Sequence, residues 1–467
     1  MLANPNTAGN PPAATGRERF DRLLYRAYSR SSHVRHFFSV RIRPPGISVL
    51  LLFVLATCLG IGQGRTSIYQ LFSLCFAMLA TSFIYIMFRR AKLHAHRELP
   101  RHATAGHPLR YSVIVRNNGR KIRSAWLSET LPDPRPTIDD FTLLREPGEE
   151  ERNKFDQLFA YFRWQWLILR NQLFRGGESP DEINLLPNAT TRVNIEFTPL
   201  RRGVIRLNDL RVLLPDPFGL FQRSRRVNAD ASTLMVLPHR FQLPPIELPG
   251  NAAFNISGES NTNAIGNSGE FVGLRDYRPG DPIRQIHWKS WARTGRPIVK
   301  ELENTFYPRY GLILDTISTD RTDVTFEQAV SVAASFAASI DTSESLLDLM
   351  FVKNQAHVVT AGRGLQRAER LLEVLAGVTP ERTPCFETLS RLVLRYRDDL
   401  TSCLVIFNGW DDQRKNFLQT LTQHNITCAP IIIGAGPNPG NAPGCWLQSG
   451  HIATDLKRLP SRLPIAN

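Results

Sequence analysis

The residues best equipped for chemistry lie in one short stretch, Leu274 to Ala292, which reads LRDYRPGDPIRQIHWKSWA. An enzyme could use His287 as a base and Asp276 or Asp281 to orient it, but neither a nucleophile nor a metal-ligand spacing accompanies them. A nucleic-acid clamp would use the arginines for phosphates and the tryptophans for stacking. The tryptophans fit an apolar helical pattern better. The stretch therefore favours a structural joint between two domains, one that can still present an edge to a protein.

The local pattern of this stretch predicts a turn followed by a helix. The pair at 279–280, Pro-Gly, suits the centre of a type II turn. Asp281 suits a helix N-cap and Pro282 the first helical position, where its missing N–H costs nothing. The helix PIRQIHWKSWART would then place Arg284 and Trp288 one turn apart, with Trp288 in a core. After Gly295 the chain resumes as a strand.

The elements that hold this stretch begin with a basic N-terminus. The chain has 467 residues and a formal charge of +15, which indicates an anionic partner or surface. Eight arginines and only two acidic residues precede Pro44. The first sixteen residues carry no charge and little apolar surface, so they predict a disordered tail without the basic start of a signal peptide.

Two uncharged apolar segments follow, Ile47 to Ile61 and Ser67 to Phe88. A membrane-spanning helix needs about 20 mostly apolar residues, which both segments reach if the first uses its flanks. Their connector, GQGRTS, predicts a tight turn, and the pair therefore predicts a transmembrane hairpin; two buried core helices are the alternative. Arginines flank the hairpin on both outer sides, whereas the turn carries only Arg65. The positive-inside rule then places both flanks in the cytoplasm.

The region from 93 to 240 predicts a sandwich-like β domain. Tyr111, Val113 and Val115 alternate with polar residues, and a similar alternation recurs around Ile195. Within it, residues 151–174 predict a helical insert with apolar residues at helical spacing. The insert packs on its own domain or on a partner, or it rests on acidic lipid.

From Tyr310 onward, strands alternate with amphipathic helices. The apolar strands YGLILDT and SCLVIFN end in Asp315 and Asn408. Such βα alternation predicts a parallel, doubly wound sheet covered on both faces, which binds ligands at the carboxyl ends of its strands. No CxxC pair occurs among the six cysteines, so neither a zinc site nor a redox dithiol is indicated.

The run from Gly269 to Glu303 closely resembles the signature of a large bacterial family, domain of unknown function fifty-eight. The upstream stretches DPFGLF (Asp216 to Phe221) and MVLPHR (Met235 to Arg240) also resemble the family's pattern. The resemblance covers most of the chain after Ser48. The matching signature positions are Arg275, Tyr277, Gly280, Asp281, Arg284, Trp288, Lys289, Ala292 and Arg293.

The resemblance implies a membrane protein with an N-terminal helical hairpin, a β domain and a von Willebrand factor A-like domain. Such proteins are commonly encoded beside a MoxR-type AAA+ ATPase, and often beside a membrane protein with a transglutaminase-like domain. Their implied role is chaperone-like assembly or maturation of other proteins. The implied partner is thus a protein, together with membrane lipid, and neither a nucleic acid, a cofactor nor a small-molecule substrate is expected.

A metal-ion-dependent adhesion site in that fold would use a strand-end D-x-S-x-S, a threonine and a further aspartate. Here the first strand keeps Asp315, but Ile317 and Thr319 stand at the third and fifth positions and Asn408 ends the second strand. Magnesium needs oxygen ligands in near-octahedral geometry, which an isoleucine does not supply. Asp315, Thr319 and Asn408 therefore predict a degenerate site. Asp320, Asp411 or Asp412 could supply the missing oxygens, which leaves metal binding as the open alternative.

These patterns together predict a non-enzymatic, multi-pass scaffold of the inner membrane whose N-terminus and large C-terminal region are cytoplasmic. Its cytosolic domain would bind a protein, with a metal-dependent adhesion-type binder as the main alternative and a hydrolase or nucleic-acid enzyme as the second. The predicted regions are a disordered and basic juxtamembrane segment (1–45), the hairpin (46–90), the β-rich domain (93–240), the signature joint (257–303), the α/β domain (304–436) and a C-terminal tail (437–467).

Overall fold

The computed structural model describes residues 16–60, 66–130, 133–248, 270–303, 308–318, 322, 324–340, 345–353, 355–362, 365–383, 386–440 and 442–466. The chain divides into two compact units, Met1–His239 and Arg240–Asn467. Both contain sheets, and the protein is of mixed α/β class. Most of the predicted uncharged tail, the predicted hairpin turn and the first part of the signature joint lie outside the described residues.

Three helices open the first unit: α1 (Gly16–Arg41), α2 (Pro44–Gly60) and α3 (Thr66–Phe88). By length and composition, Ser67–Phe88 is the one described helix able to cross a membrane, because α2 is apolar but has only 17 residues. The two apolar helices pack together, with the rings of Phe53 and Phe72 stacked at 5.0 Å. Most of their large apolar side chains stay exposed to the surroundings.

The β domain of the first unit consists mainly of one nine-stranded sheet and one three-stranded sheet. Tyr111, Val113 and Val115 point into its core, as their alternation predicts, and Ile195 packs opposite them. The strands are β1 (Leu93–Glu98), β2 (His102–Thr104), β3 (Leu109–Asn117), β4 (Ile122–Glu129), β5 (Phe174–Glu178), β6 (Ile183–Leu185), β7 (Thr190–Pro199), β8 (Gly203–Leu207), β9 (Leu210–Pro215), β10 (Gln222–Arg226), β11 (Asn228–Ala229) and β12 (Ser232–Leu237).

A buried ionic network ties three of these strands together. Arg97 on β1 donates from Nε and Nη2 to the two carboxylate oxygens of Glu129 on β4, at 2.6 and 3.1 Å. Tyr111 on β3 donates its hydroxyl to the same carboxylate at 2.9 Å. The side chains of Arg97 and Glu129 are 0% and 1% exposed. Burial first, and the Glu129 charge second, raise the pKa of Tyr111, so its hydroxyl remains a donor.

The helical insert differs from the single helix predicted over 151–174. It forms α5 (Lys154–Phe159) and α6 (Tyr161–Asn171), preceded by α4 (Ile138–Leu143). Ala160 breaks the helix because its φ is +50°. Trp164 on α6 is buried against Tyr25 and Tyr28 of α1, at ring distances of 5.7 and 5.8 Å. The N-terminal segment predicted as disordered, 1–45, therefore contains the helix α1. Tyr25 and Tyr28 of α1 cover Trp164 of the insert.

The second unit holds an antiparallel hairpin and a six-stranded sheet in the order β17-β16-β15-β18-β19-β20. All neighbours in that sheet are parallel except β16 and β17. The strands are β13 (Glu270–Asp276), β14 (Ile298–Glu303), β15 (Arg309–Leu314), β16 (Leu346–Lys353), β17 (Gln355–Gly362), β18 (Ser402–Asn408), β19 (Cys428–Gly434) and β20 (Cys445–Gln448).

Helices accompany this sheet, as the alternation of apolar strands and amphipathic segments predicts. Three elements around this sheet were not predicted. They are the edge strand β17 and, in the predicted C-terminal tail, the strand β20 and the short helix Ile452–Lys457. The helices are α7 (Trp288–Thr294), α8 (Val324–Ser339), α9 (Leu365–Gly377), α10 (Phe386–Arg395), α11 (Asp412–Gln423) and α12 (Ile452–Lys457).

Candidate functional site: the signature hairpin and the acidic strand end

The signature residues form the connection of the β13–β14 hairpin. Arg275 on β13 binds both oxygens of the Asp281 carboxylate at 2.7 Å, and Asp281 also accepts from the backbone N–H of Arg278 at 2.8 Å. Gly280 has a φ of +110°, which a type II turn requires at its second central position. Asp281 is therefore not the predicted N-cap. Its carboxylate instead links the turn to β13 through the Arg275 side chain.

The predicted helix from Pro282 is also wrong. A short 3-10 turn at Ile283–Gln285 comes first, and α7 begins only at Trp288. Between them, Ile286 forms a bridge to Val299, and both side chains are buried. Ile286 and Val299, rather than Trp288, therefore pack the connection against the β13–β14 hairpin. Trp288 is 60% exposed, so the expectation that it lies in a core is wrong.

The connection presents an exposed aromatic and cationic face, which we call the signature surface and define as Ile283, Arg284, Trp288, Lys289 and Arg293. Trp288 stacks on Trp291 with ring centroids 5.2 Å apart. The half-buried Trp291 thus fixes the orientation of the exposed Trp288 ring. Exposed aromatic and arginine side chains are typical of protein-binding hot spots.

The other residues of the signature have local structural roles. His287 pairs through Nδ1 with Ser290 Oγ at 2.6 Å, which differs from the Asp276 or Asp281 partner that an enzyme site would need. The backbone N–H of Tyr277 donates to Pro297 O at 2.9 Å across the base of the connection. Ala292 is exposed on α7. The interpretation of the segment as a joint between domains stays a prediction.

The Asp281 carboxyl should titrate far below the ordinary value of about 3.9. Its hydrogen bonds with the Arg275 guanidinium, followed by that with the Arg278 amide, lower its pKa to about 2. Because the folded-state pKa is depressed, the contribution of this pair to hairpin order is present above the unfolded value and is lost as the pH falls through about 2. Carbon-detected NMR of labelled aspartate measures this midpoint. Arg275→Gln should raise it, and an unchanged midpoint would contradict the assignment.

The second candidate site lies where β15 and β18 end. Asp315 is 1% exposed, and its carboxylate accepts from the backbone N–H groups of Ile317 and Asn408 at 2.9 and 3.0 Å. Arg414 donates from Nε to the same carboxylate at 2.7 Å. Burial raises the pKa of Asp315, and the Arg414 guanidinium opposes that rise. The positive charge beside Asp315 is therefore the guanidinium of Arg414 in the same chain.

Arg414 is fixed by its own surroundings. It lies in the first turn of α11, where the N-cap Asp411 binds its backbone N–H at 2.9 Å and its Nη1 at 2.5 Å. Its Nη2 donates to Ile317 O at 2.9 Å. Arg414 was not among the residues predicted from the sequence. An arginine three positions after an acidic N-cap, just beyond the end of β18, was the available signal.

Of the three degenerate metal positions, Thr319 lies outside the described residues, whereas Asp315 and Asn408 meet. Asn408 Nδ2 donates to Ile317 O at 3.3 Å, and its buried Oδ1 has no partner in the described part of the chain. Within the described residues no group of three or more His, Cys, Asp or Glu side chains could hold a metal ion. Of the predicted metal positions that the structure describes, Asp315 offers a carboxylate already bonded to Arg414 and Asn408 offers an amide oxygen, which is a poor pair for magnesium.

The chain is similar to a curated bacterial protein. "Uncharacterized protein YeaD" of Bacillus subtilis (strain 168) is 27% identical over 186 residues, which are 39% of this chain and 45% of that protein. The chain therefore matches less than half the length of this relative.

Two solved structures show only weak similarity in fold. The CARDB domain of the PF1109 protein from Pyrococcus furiosus, in complex with di-metal ions, is 12% identical with a TM-score of 0.16, covering 32% of this chain and 91% of that one. The manganese-loaded Plasmodium vivax TRAP protein is 12% identical with a TM-score of 0.23, covering 33% and 73%. A family match is more specific: residues 273–398, which contain the signature hairpin connection and Asp315, match the family described as "Protein of unknown function DUF58".

Proposed function

We propose that the protein is a non-enzymatic, membrane-anchored scaffold whose C-terminal unit binds a protein partner through the signature surface. The observation that carries this proposal is the exposure of Trp288, held by Trp291 and surrounded by cationic side chains. A large aromatic ring that is fixed but exposed is typical of a recognition surface. The resemblance described above adds the identity of the partner, a MoxR-type AAA+ ATPase, and a role in the assembly or maturation of other proteins.

The C-terminal unit is proposed to be a von Willebrand factor A-like domain. Its sheet order, with one antiparallel edge strand, supports this assignment. The alternative of a metal-dependent adhesion-type binder is less well supported, because Arg414 already occupies the Asp315 carboxylate. Partner binding is therefore proposed to be independent of magnesium.

The membrane anchor is proposed to be the pair α2 and α3. α3 meets the length for a span, whereas α2 would need its flanking residues. The arginines before Pro44 and the Arg89-Arg90 pair after α3 flank the two helices. By the positive-inside rule, both soluble regions then lie in the cytoplasm, as expected for a multi-pass protein of the inner membrane.

Replacing Trp288 with alanine should weaken partner binding by about 30-fold or more, corresponding to the roughly 2 kcal/mol expected of a hot-spot aromatic. Because the ring is exposed, folding should be nearly unchanged. The measurement is crosslinking and pull-down of the full-length protein from membranes, with the recovered ATPase identified by mass spectrometry. Phe155→Ala removes an exposed aromatic from the first unit and is the matched control.

The outcomes separate the two parts of the proposal. Equal recovery of the ATPase with Trp288→Ala and with Phe155→Ala would show that the signature surface does not bind it. Failure to recover an AAA+ protein with the unaltered chain would instead contradict the identity of the partner.

A further inference from the structure

The turn between β9 and β10, Pro215–Phe221, lies against both apolar helices; we call it the clasp loop. Asp216 organises the loop, because its carboxylate accepts from the backbone N–H groups of Phe218 and Phe221 at 3.3 and 2.9 Å. The same carboxylate accepts the hydroxyl of Ser82 on α3 at 2.5 Å. Ser82 is 0% exposed and Asp216 is 5% exposed. One buried aspartate therefore both shapes the loop and attaches it to α3.

The clasp loop is equally close to α2. Leu220 O accepts from the backbone N–H of Arg43 at 3.0 Å, and Phe221 forms a bridge with Ile42 just before the helix. At Gly46, in the first turn of α2, a Cβ atom would lie 2.2 Å from Leu220 O. No residue but glycine fits there without moving the loop. The backbone of the loop is thus in direct contact with that of the helix.

The strand after the clasp loop caps the end of α3. Arg223 on β10 donates from Nη1 to the carbonyl oxygens of Ile86, Met87 and Arg89 at 2.7, 2.6 and 3.3 Å. The last carbonyl groups of a helix lack internal partners, and a cation there is favourable for the helix dipole. Arg89 in turn donates to Pro215 O. The β domain therefore fixes the ends of both apolar helices with specific bonds.

The position of Ser82 along α3 shows how far from the end of that helix the clasp loop makes contact. Ser82 precedes Phe88, the last residue of α3, by six positions, or about 9 Å along the helix axis. Phe218, at the tip of the clasp loop, is 50% exposed. Phe38 in the last turn of α1 and Phe88 at the end of α3 are exposed as well. Exposed phenylalanine rings together with arginines are typical of elements that lie in the membrane–water interface.

We propose that the clasp loop is a membrane-inserted element, with Phe218 embedded in the interface of the lipid bilayer beside α2 and α3. This inference rests on the membrane anchor in the proposed function. Its partner is the bilayer itself, with anionic headgroups beside the exposed Arg41 and acyl chains beside the Phe218 ring. Three observations support lipid over another surface. The clasp loop contacts both apolar helices, its contact with Ser82 lies six residues before the end of α3, and exposed phenylalanine side chains occur together with the exposed Arg41.

The test measures the depth of single side chains in the full-length protein, reconstituted in nanodiscs of phosphatidylcholine and phosphatidylglycerol. A fluorescent non-canonical amino acid replaces Phe218, and lipids spin-labelled at the headgroup or along the acyl chain quench it. Phe83, 67% exposed on α3, is the control for membrane insertion, and Val204, 56% exposed on β8, is the control for the aqueous side. An interfacial side chain about 5–10 Å deep should be quenched by the shallow acyl label about twofold more strongly than the residue at Val204.

Each outcome decides one question. Quenching at positions 218 and 83, with little at position 204, supports the clasp loop as a membrane-inserted element. Quenching at 83 while 218 behaves like 204 would overturn the inference and leave the membrane anchor intact. The absence of lipid quenching at 83 would overturn the anchor, and the inference would fall with it.

Discussion

Replacing Arg414 with alanine should destabilise the C-terminal unit by about 3–5 kcal/mol, because it leaves the Asp315 carboxylate buried without a cation. The two side chains are 5% and 1% exposed, so water cannot take the place of the guanidinium. The bonds from Arg414 to Asp411 and to Ile317 O are lost at the same time. Hydrogen exchange of the β15 and β18 amides in the full-length protein measures the effect as the free energy of opening.

Lys415→Ala is the matched control, since Lys415 is exposed one position along the same helix and should change stability by less than about 0.5 kcal/mol. The double variant Asp315→Asn, Arg414→Met should be less harmful than Arg414→Ala, because it removes both charges together. Equal exchange in Arg414→Ala and Lys415→Ala would contradict a structural ion pair. Calorimetry showing tight magnesium binding that Asp315→Ala abolishes would favour the adhesion-type alternative instead.

Arg97→Ala should cost the β domain a similar amount, about 3–5 kcal/mol, because Glu129 would remain buried and unpaired. The loss extends to the carbonyl of Asp230, to which Arg97 donates at 2.5 Å. Arg97→Lys should recover only part of the stability, since an ammonium group cannot make the two parallel bonds of a guanidinium. Hydrogen exchange of the β1, β3 and β4 amides reports the effect.

The control for this prediction lies on β3, where Arg110 pairs with Glu196 at 2.9 Å with 68% and 42% of the side chains exposed. Such an exposed pair contributes about 0–1 kcal/mol, so Arg110→Ala should be nearly neutral. If the two alanine variants were equally stable, the buried network would not be what joins the three strands.

The strand and helix pattern of the C-terminal unit was readable from sequence because its strands are continuous apolar runs between amphipathic helices. β17 was missed for a physical reason. As an edge strand it is half exposed, and His357, Val358 and Thr360 give no clear alternation. The helix α1 was missed because its seven arginines dominate its composition. Its Tyr25 and Tyr28 pack against Trp164, which is distant in the sequence.

The candidate site was predictable in location but not in arrangement. The apolar pattern around Trp288 predicted burial, yet burial depends on which side chains the hairpin β13–β14 can cover. Ile286 takes that position because its backbone pairs with Val299. Likewise, the end of β15 was identified through Asp315, but its partner Arg414 lies 99 positions away in the chain. Such long-range pairs are set by tertiary structure, which local spacing does not encode.

The glycine at position 46 and the hydroxyl at position 82 have a consequence for engineering. The two apolar helices are not a generic tether that any hydrophobic hairpin could replace. A substitute would need no side chain opposite Leu220 O, a hydroxyl donor opposite Asp216, and a helix end that Arg223 can reach. A chimera with a foreign anchor would leave Asp216 and Arg223 without these partners. The helices α2 and α3 and the β domain therefore have to be exchanged together, as one structural unit.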